Sequence, residues 1–210
     1  MQRLTTLIER YPDLSECHGS IKDAYQLLEL AYADDGQVLV CGNGGSAADS
    51  EHIVAELMKG FALPRAVPAS VRERLALSSP ETGSYLADHL QGALRAVSLV
   101  SQTSLATAFS NDVAPDMAFA QQVYGYGRPG DVVWGISTSG NSANVVHALE
   151  VGRALGLRTL GLTGRDGGAL AACCDVVVRV PYVDTAAVQE RHVAVYHALC
   201  LALEARFFGP

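Results

Sequence analysis

The chain has 210 residues, 49% of them apolar, which is enough to bury one sizeable core and makes a single domain spanning 1–210 the simplest organisation. Fifteen basic against 22 acidic side chains leave a net charge of −7, which argues against a general nucleic-acid or anionic-membrane surface, so any phosphate must be met by local donors. Cys17, Cys41, Cys173, Cys174 and Cys200 form neither a C-x-x-C pair nor a disulfide framework, residues 1–6 lack an apolar leader, and no stretch is long and uncharged enough to span a bilayer; together these point to the cytoplasm.

Residues 1–36 read as helical, with an apolar-rich helix at 21–33 that Ser20 is placed to cap. A short apolar strand follows at 38–41. The turn Gly42-Asn43-Gly44-Gly45-Ser46 then leads into a helical pattern from about Ala47. Its glycines allow backbone to approach a ligand closely, but the turn lacks G-x-G-x-x-G spacing and no Walker lysine follows it. On the helix after it, His52 and Glu56 lie four apart and project from one face. Such a pair can bind a metal, move protons at neutral pH, or simply make a helix-surface contact.

Between 61 and 95 the alternation of strand and helix breaks. Pro64, Pro68 and Pro80 interrupt it, short helices are predicted at 70–77 and 84–94, and the stretch from about 62 to 95 reads as an insertion. Arg65, Arg72, Arg74 and Arg95 within or beside it are expected on a solvated surface.

Further strands are predicted at 97–100, 132–136, 159–162 and 176–180. Five short apolar runs alternating with helices predict a buried parallel sheet in a three-layer α/β/α sandwich, with ligand loops at the carboxyl ends of the strands. The third strand runs into Ser137-Thr138-Ser139-Gly140-Asn141-Ser142 and then a helix at 144–155. An anion at that junction would meet free backbone N–H groups, the positive helix end and several hydroxyls. Capping by Ser139 or Asn141 is the simpler alternative, but a cap needs only one such residue. The last helix, 186–208, is apolar on more than one face, through Val188, Val193, Val195, Leu199, Leu201, Leu203, Phe207 and Phe208. Burial in the core would account for this; packing against a second subunit accounts for it better. Gln189, Glu190, His192 and His197 interrupt that apolar surface. His192 reads as exposed and His197 as either a core histidine or a site residue, and about 12 Å of helix separates Gln189 from His197.

Taken in order, Gly42-Asn43-Gly44-Gly45-Ser46, His52-x-x-x-Glu56, Asn111-Asp112, the 137–142 loop, Thr163-Gly164-Arg165-Asp166-Gly167-Gly168, and Gln189-Glu190 followed by His197 resemble the phosphoheptose isomerases, a branch of the sugar isomerase (SIS) domain superfamily. The resemblance implies a five-stranded parallel sheet and a homotetramer with active sites between subunits. It implies an acid–base pair at Glu56 and His197 and zinc, one per subunit, held by His52, Glu56, Gln189 and His197. Substrate contacts are implied at Asn43, Gly44, Gly45, Ser46, Glu56, Asn111, Asp112, Ser137, Thr138, Ser139, Ser142 and Gln189. The implied reaction is the aldose–ketose isomerisation of sedoheptulose 7-phosphate to D-glycero-D-manno-heptose 7-phosphate, a small-molecule reaction without nucleic acid or membrane. Two alternatives stand beside it: a non-catalytic SIS protein that binds a sugar phosphate or a protein partner, and an isomerase of another phosphosugar, for which the 62–95 insertion beside the catalytic helix would reshape the sugar end of the pocket.

Overall fold

The computed structural model describes residues 2–209. After α1 (Gln2–Arg10), a 3-10 turn at Pro12–Cys17 and α2 (His18–Ala33), the chain enters β1 (Val38–Gly42), α3 (Gly45–Met58), α4 (Ala69–Ser78), α5 (Gly83–His89) and β2 (Ala96–Ser98). It continues through α6 (Thr103–Asp112), a 3-10 turn at Pro115–Met117, α7 (Ala118–Tyr126), β3 (Val132–Ser137), α8 (Ala143–Ala154), β4 (Arg158–Thr163), α9 (Leu170–Cys173), β5 (Val176–Arg179) and α10 (Thr185–Phe208). All five strands pair in parallel, in the order β2-β1-β3-β4-β5.

Alternation along each strand divides the interior into two cores. Val38, Val40, Trp134, Ile136, Leu160 and Leu162 point to the layer containing α1, α2, α3 and α10. Leu39, Cys41 and Val133 point to the layer of α7, α8 and α9, where Phe119, Leu149 and Leu170 meet them. The chain leaves β1 for β2 on one side and returns to add β3 on the other. The carboxyl ends of β1 and β3 therefore flank the crevice where open α/β sheets bind ligands.

Four local expectations change. α2 begins at His18, because the 3-10 turn already starts to wind the chain, so Ser20 lies inside the helix and its hydroxyl donates to the Cys17 carbonyl at 2.9 Å instead of capping. The second helix of the insertion stops at His89. Arg65 does not face solvent: it is 2% exposed and ion-paired with Glu204 at 2.9 Å, whereas Arg72 makes an exposed pair with Asp88. In α10, Val188, Val195, Leu199 and Leu203 are fully buried beneath α1, α2 and α3, so the extra apolar face belongs mainly to the chain's own core. The exposed apolar side chains lie elsewhere, with Leu77, Tyr85 and Leu90 on or beside the α4–α5 hairpin and Leu105 and Val113 at α6. No helix is long and apolar enough to cross a membrane among the described residues.

Candidate active site

Side by side at the crevice, β1 and β3 end in register, Gly42 opposite Ile136, and each gives way to its loop. Asn43 and Asn144 tie the two loops together through reciprocal amide bonds of 2.8 and 2.9 Å. In the 137–142 loop the Ser137 and Ser142 hydroxyls lie 3.0 Å apart, and Ser139 Oγ accepts from the Asn141 amide at 3.2 Å. Ser142 occupies the N-cap position of α8 without a side-chain capping bond, and neither Ser139 nor Asn141 caps the helix. The Ser137 and Ser142 hydroxyls thus meet at the N-terminus of α8, with Thr138 and Ser139 between them in the loop, which makes this loop a candidate oxyanion cradle built from neutral donors.

The loop after β4 forms the back wall of this cradle. Gly164 N donates to Thr138 O at 3.0 Å, Leu170 N to Gly140 O at 2.9 Å and Ala169 N to the Asn141 side chain at 3.0 Å. Gly140 and Gly168 adopt positive φ of 69° and 56°, and a Cβ on Gly168 would lie 2.6 Å from the Ser139 carbonyl. Only glycine permits backbone to lie on backbone so closely.

The second cluster forms where α3 and α10 lie alongside each other. His52 Nε2 is 3.3 Å from Glu56 Oε1, and the His52 ring meets that of His197 edge-on with centroids 4.9 Å apart. Lys59 Nζ stands 3.3 Å from the other Glu56 oxygen. Burial, together with the His52 imidazole, holds the His197 imidazole below its ordinary pKa, with Glu56 opposing. Tyr196 organises the cluster. Its hydroxyl lies 3.2 Å from Asp49 Oδ1 and 3.0 Å from His52 Nδ1. A carboxylate only accepts, so the hydroxyl donates to Asp49 and accepts from His52 Nδ1–H. That leaves His52 Nε2 facing a Glu56 oxygen, while His197 Nε2 is buried without a partner among the described residues. These nitrogen and oxygen donors suit a zinc-type cation, and the Asp49–Tyr196–His52 chain is the usual second support of a ligating imidazole. Among the described residues, however, no three His, Cys, Asp or Glu side chains are arranged closely enough to enclose a metal ion.

The family model described as SIS domain matches residues 5–97 and 86–164. A phosphoheptose isomerase of Geotalea daltonii is 42% identical over 194 residues, 92% of this chain and 88% of that protein. The chain belongs to the phosphoheptose isomerase family. Another member, from Synechocystis, is 35% identical over 99% of this chain and 93% of its own length. The solved structure of the phosphoheptose isomerase from Neisseria gonorrhoeae superposes with a TM-score of 0.72 at 36% identity, covering 97% of this chain and 92% of that one.

In this family member the expected site residues fall into separate groups. Asn43, Gly44 and Gly45 line the exposed first loop, while Ser46 is 3% exposed and turned beneath it. Gln189 does not join His52, Glu56 and His197; its amide lies directly over Gly45, which leaves no room for a Cβ there. Asn111 and Asp112 stand exposed at the end of α6, the Asn111 amide donating to the Asp112 carboxylate at 2.8 Å. His192, expected outside, is fully buried. Sequence reasoning passed over Asp49, Lys59, Asn144 and Tyr196. The i, i+3 spacing of Asp49 with His52, and of Glu56 with Lys59, was the available signal for two of them.

Proposed function

We propose that the protein interconverts sedoheptulose 7-phosphate and D-glycero-D-manno-heptose 7-phosphate, with the hydroxyl loop anchoring the phosphate and Glu56 and His197 moving the protons. The observation that carries this reading is the meeting of Glu56 and His197 at one imidazole, His52, from helices 141 residues apart in sequence at these two positions. Glu56 carboxylate removes a proton from C1 of the ketose to give the enediol and returns it at C2. His197, whose depressed pKa keeps it neutral near pH 7, accepts the proton from the C1 hydroxyl and delivers it to the oxygen on C2. Lys59 pairs with the outer oxygen of the Glu56 carboxylate at 3.3 Å. His52, Glu56 and His197, with Gln189 from elsewhere in the assembly, are the residues that would hold zinc. When bound, zinc supplies Lewis-acid polarisation of the carbonyl.

A homotetramer is part of this reading. About 16 Å of helix separates Gly45 at the cradle from Glu56, and Asn111, Asp112 and Gln189 stand apart from the proton-moving cluster. Packing subunits together allows the cradle of one to face the acid–base pair of another. The five free thiols are in keeping with a cytoplasmic protein.

The test is a panel of ketose phosphates assayed by NMR in deuterated water. Deuterium should enter C1 of sedoheptulose 7-phosphate as the aldose appears, faster than for hexose or pentose phosphates. Exchange with none of them would overturn the enzymatic reading in favour of a binding protein; preference for a shorter sugar would overturn the heptose assignment.

A further inference from the structure

Arg65 and Glu204 form a fully buried ion pair, with side chains 0% and 1% exposed. An isolated buried pair is no better for stability than apolar residues of the same volume, so its hydrogen bonds identify its use. Besides Arg65 Nε on Glu204 Oε1 at 2.9 Å, Arg65 Nη2 donates to the carbonyl of Glu56 at 2.9 Å and Nη1 to that of Leu57 at 2.8 Å. These carbonyls belong to the last turn of α3, where helical acceptors run out of partners. Glu204 accepts from the amides of Phe61, at 2.7 Å, Ala62, at 2.8 Å, and Leu63, at 3.2 Å. Burial pushes its carboxyl pKa up, but the Phe61 and Ala62 amides and Arg65 together outweigh this and hold it below the ordinary value.

Both ends of this network touch the proton-moving cluster. One end grips the backbone that carries Glu56. The other fixes Phe61, whose ring meets that of His197 edge-on with centroids 5.3 Å apart. Glu204 itself lies on α10 two turns beyond His197, so the pair joins the end of α3, the following loop and α10 at one point.

We propose that Arg65 and Glu204 are positioning residues, a clamp that sets Glu56 and His197 in register with one another for proton transfer. The proposal rests on the functional reading above. A planar guanidinium fork serves a carboxylate and two carbonyls at once, which a lysine ammonium in the same place cannot do with the same geometry.

The test compares Arg65→Lys, Glu204→Gln and the double variant Arg65→Met/Glu204→Leu, which removes both buried charges together and is expected to fold. Each folded variant should lose about 10- to 100-fold in kcat with KM changed less than about threefold, since misplacement of a reacting group by an ångström costs up to that much. The histidine NMR signals of His197 and His52 should shift in the same variants. Wild-type kcat in a folded variant, kcat falling only with the folded fraction, or a double variant that fails to fold overturns the clamp and leaves a structural strut. Should the wild-type protein show no isomerisation, the functional reading fails by itself, and the imidazole signals alone decide the clamp: unchanged signals in a folded variant overturn it, and shifted ones support it.

Discussion

The two ends of α3 are built on opposite principles. Beside its N-terminus, joined to it through the Asn43–Asn144 bonds, the hydroxyl loop at the start of α8 is built of neutral side chains and backbone, and every wall of the cradle lies in a strand-to-helix turn. At its C-terminus, His52, Glu56, Lys59 and His197 bring ionisable groups together, supported from beneath by Arg65 and Glu204. The first arrangement is local, suited to holding a phosphate that takes no part in the proton transfers. The second depends on contacts between distant segments and suits groups that must change protonation. The comparison implies that binding and turnover can be damaged separately.

The largest effect is expected from Glu56→Gln, which keeps the size and removes the base. Turnover of sedoheptulose 7-phosphate should fall by roughly 10²- to 10⁴-fold. Binding of the sugar phosphate, followed by calorimetry, should change little because the cradle is untouched. A variant that binds poorly but turns over normally would merge the two ends and remove the distinction.

Gly168→Ala attacks the other end without touching a hydroxyl. The added methyl lies 2.6 Å from the Ser139 carbonyl in a backbone held at φ 56°, so the 138–141 segment must move. KM for the sugar phosphate should rise about tenfold, the loss of roughly one good hydrogen bond to an anion, with kcat nearly preserved. Competitive inhibition by inorganic phosphate should weaken in parallel. An unchanged inhibition constant would mean that the back wall does not shape the cradle.

The cradle end was largely legible in the sequence because its information is local. Apolar runs gave the strands, and Gly42 to Ser46 and Ser137 to Ser142 fall where those strands give way to helices. The His52–Glu56 spacing was equally plain. What escaped was long-range. Arg65 between two prolines has every local mark of a surface residue, and only Glu204, 139 residues away, makes its burial possible. Tyr196 looks like one more apolar position on α10 until Asp49 and His52 are set beside its hydroxyl. The apolar excess of α10 was also ambiguous locally, since sequence cannot distinguish three covering helices from a covering subunit. The SIS-domain motifs marked the separate site residues, but the folded chain alone reveals that Gln189 attends Gly45 and not the proton-moving cluster.

The smallest effect on activity is expected midway between the two ends. His192 lies on α10 between Gln189 and Tyr196, fully buried, and faces the Thr163 backbone without a well-formed hydrogen bond at either ring nitrogen. Burial lowers its pKa to about 4 from an ordinary value near 6.5. Between those values the unfolded chain binds a proton that the folded chain refuses. The contribution of His192 to stability is therefore fully present above its unfolded value near 6.5 and is lost as the pH falls toward 4, by roughly 3 kcal/mol across the window. Urea unfolding at pH 7 and pH 4.5 measures that decline, and His192→Leu should flatten it while leaving kcat and KM at pH 7 within about twofold of wild type. Equal acid sensitivity in the two proteins would assign the decline to other groups. A large loss of turnover in His192→Leu would show instead that the cradle and the proton-moving cluster are coupled through α10, and that damage midway along the helix reaches both.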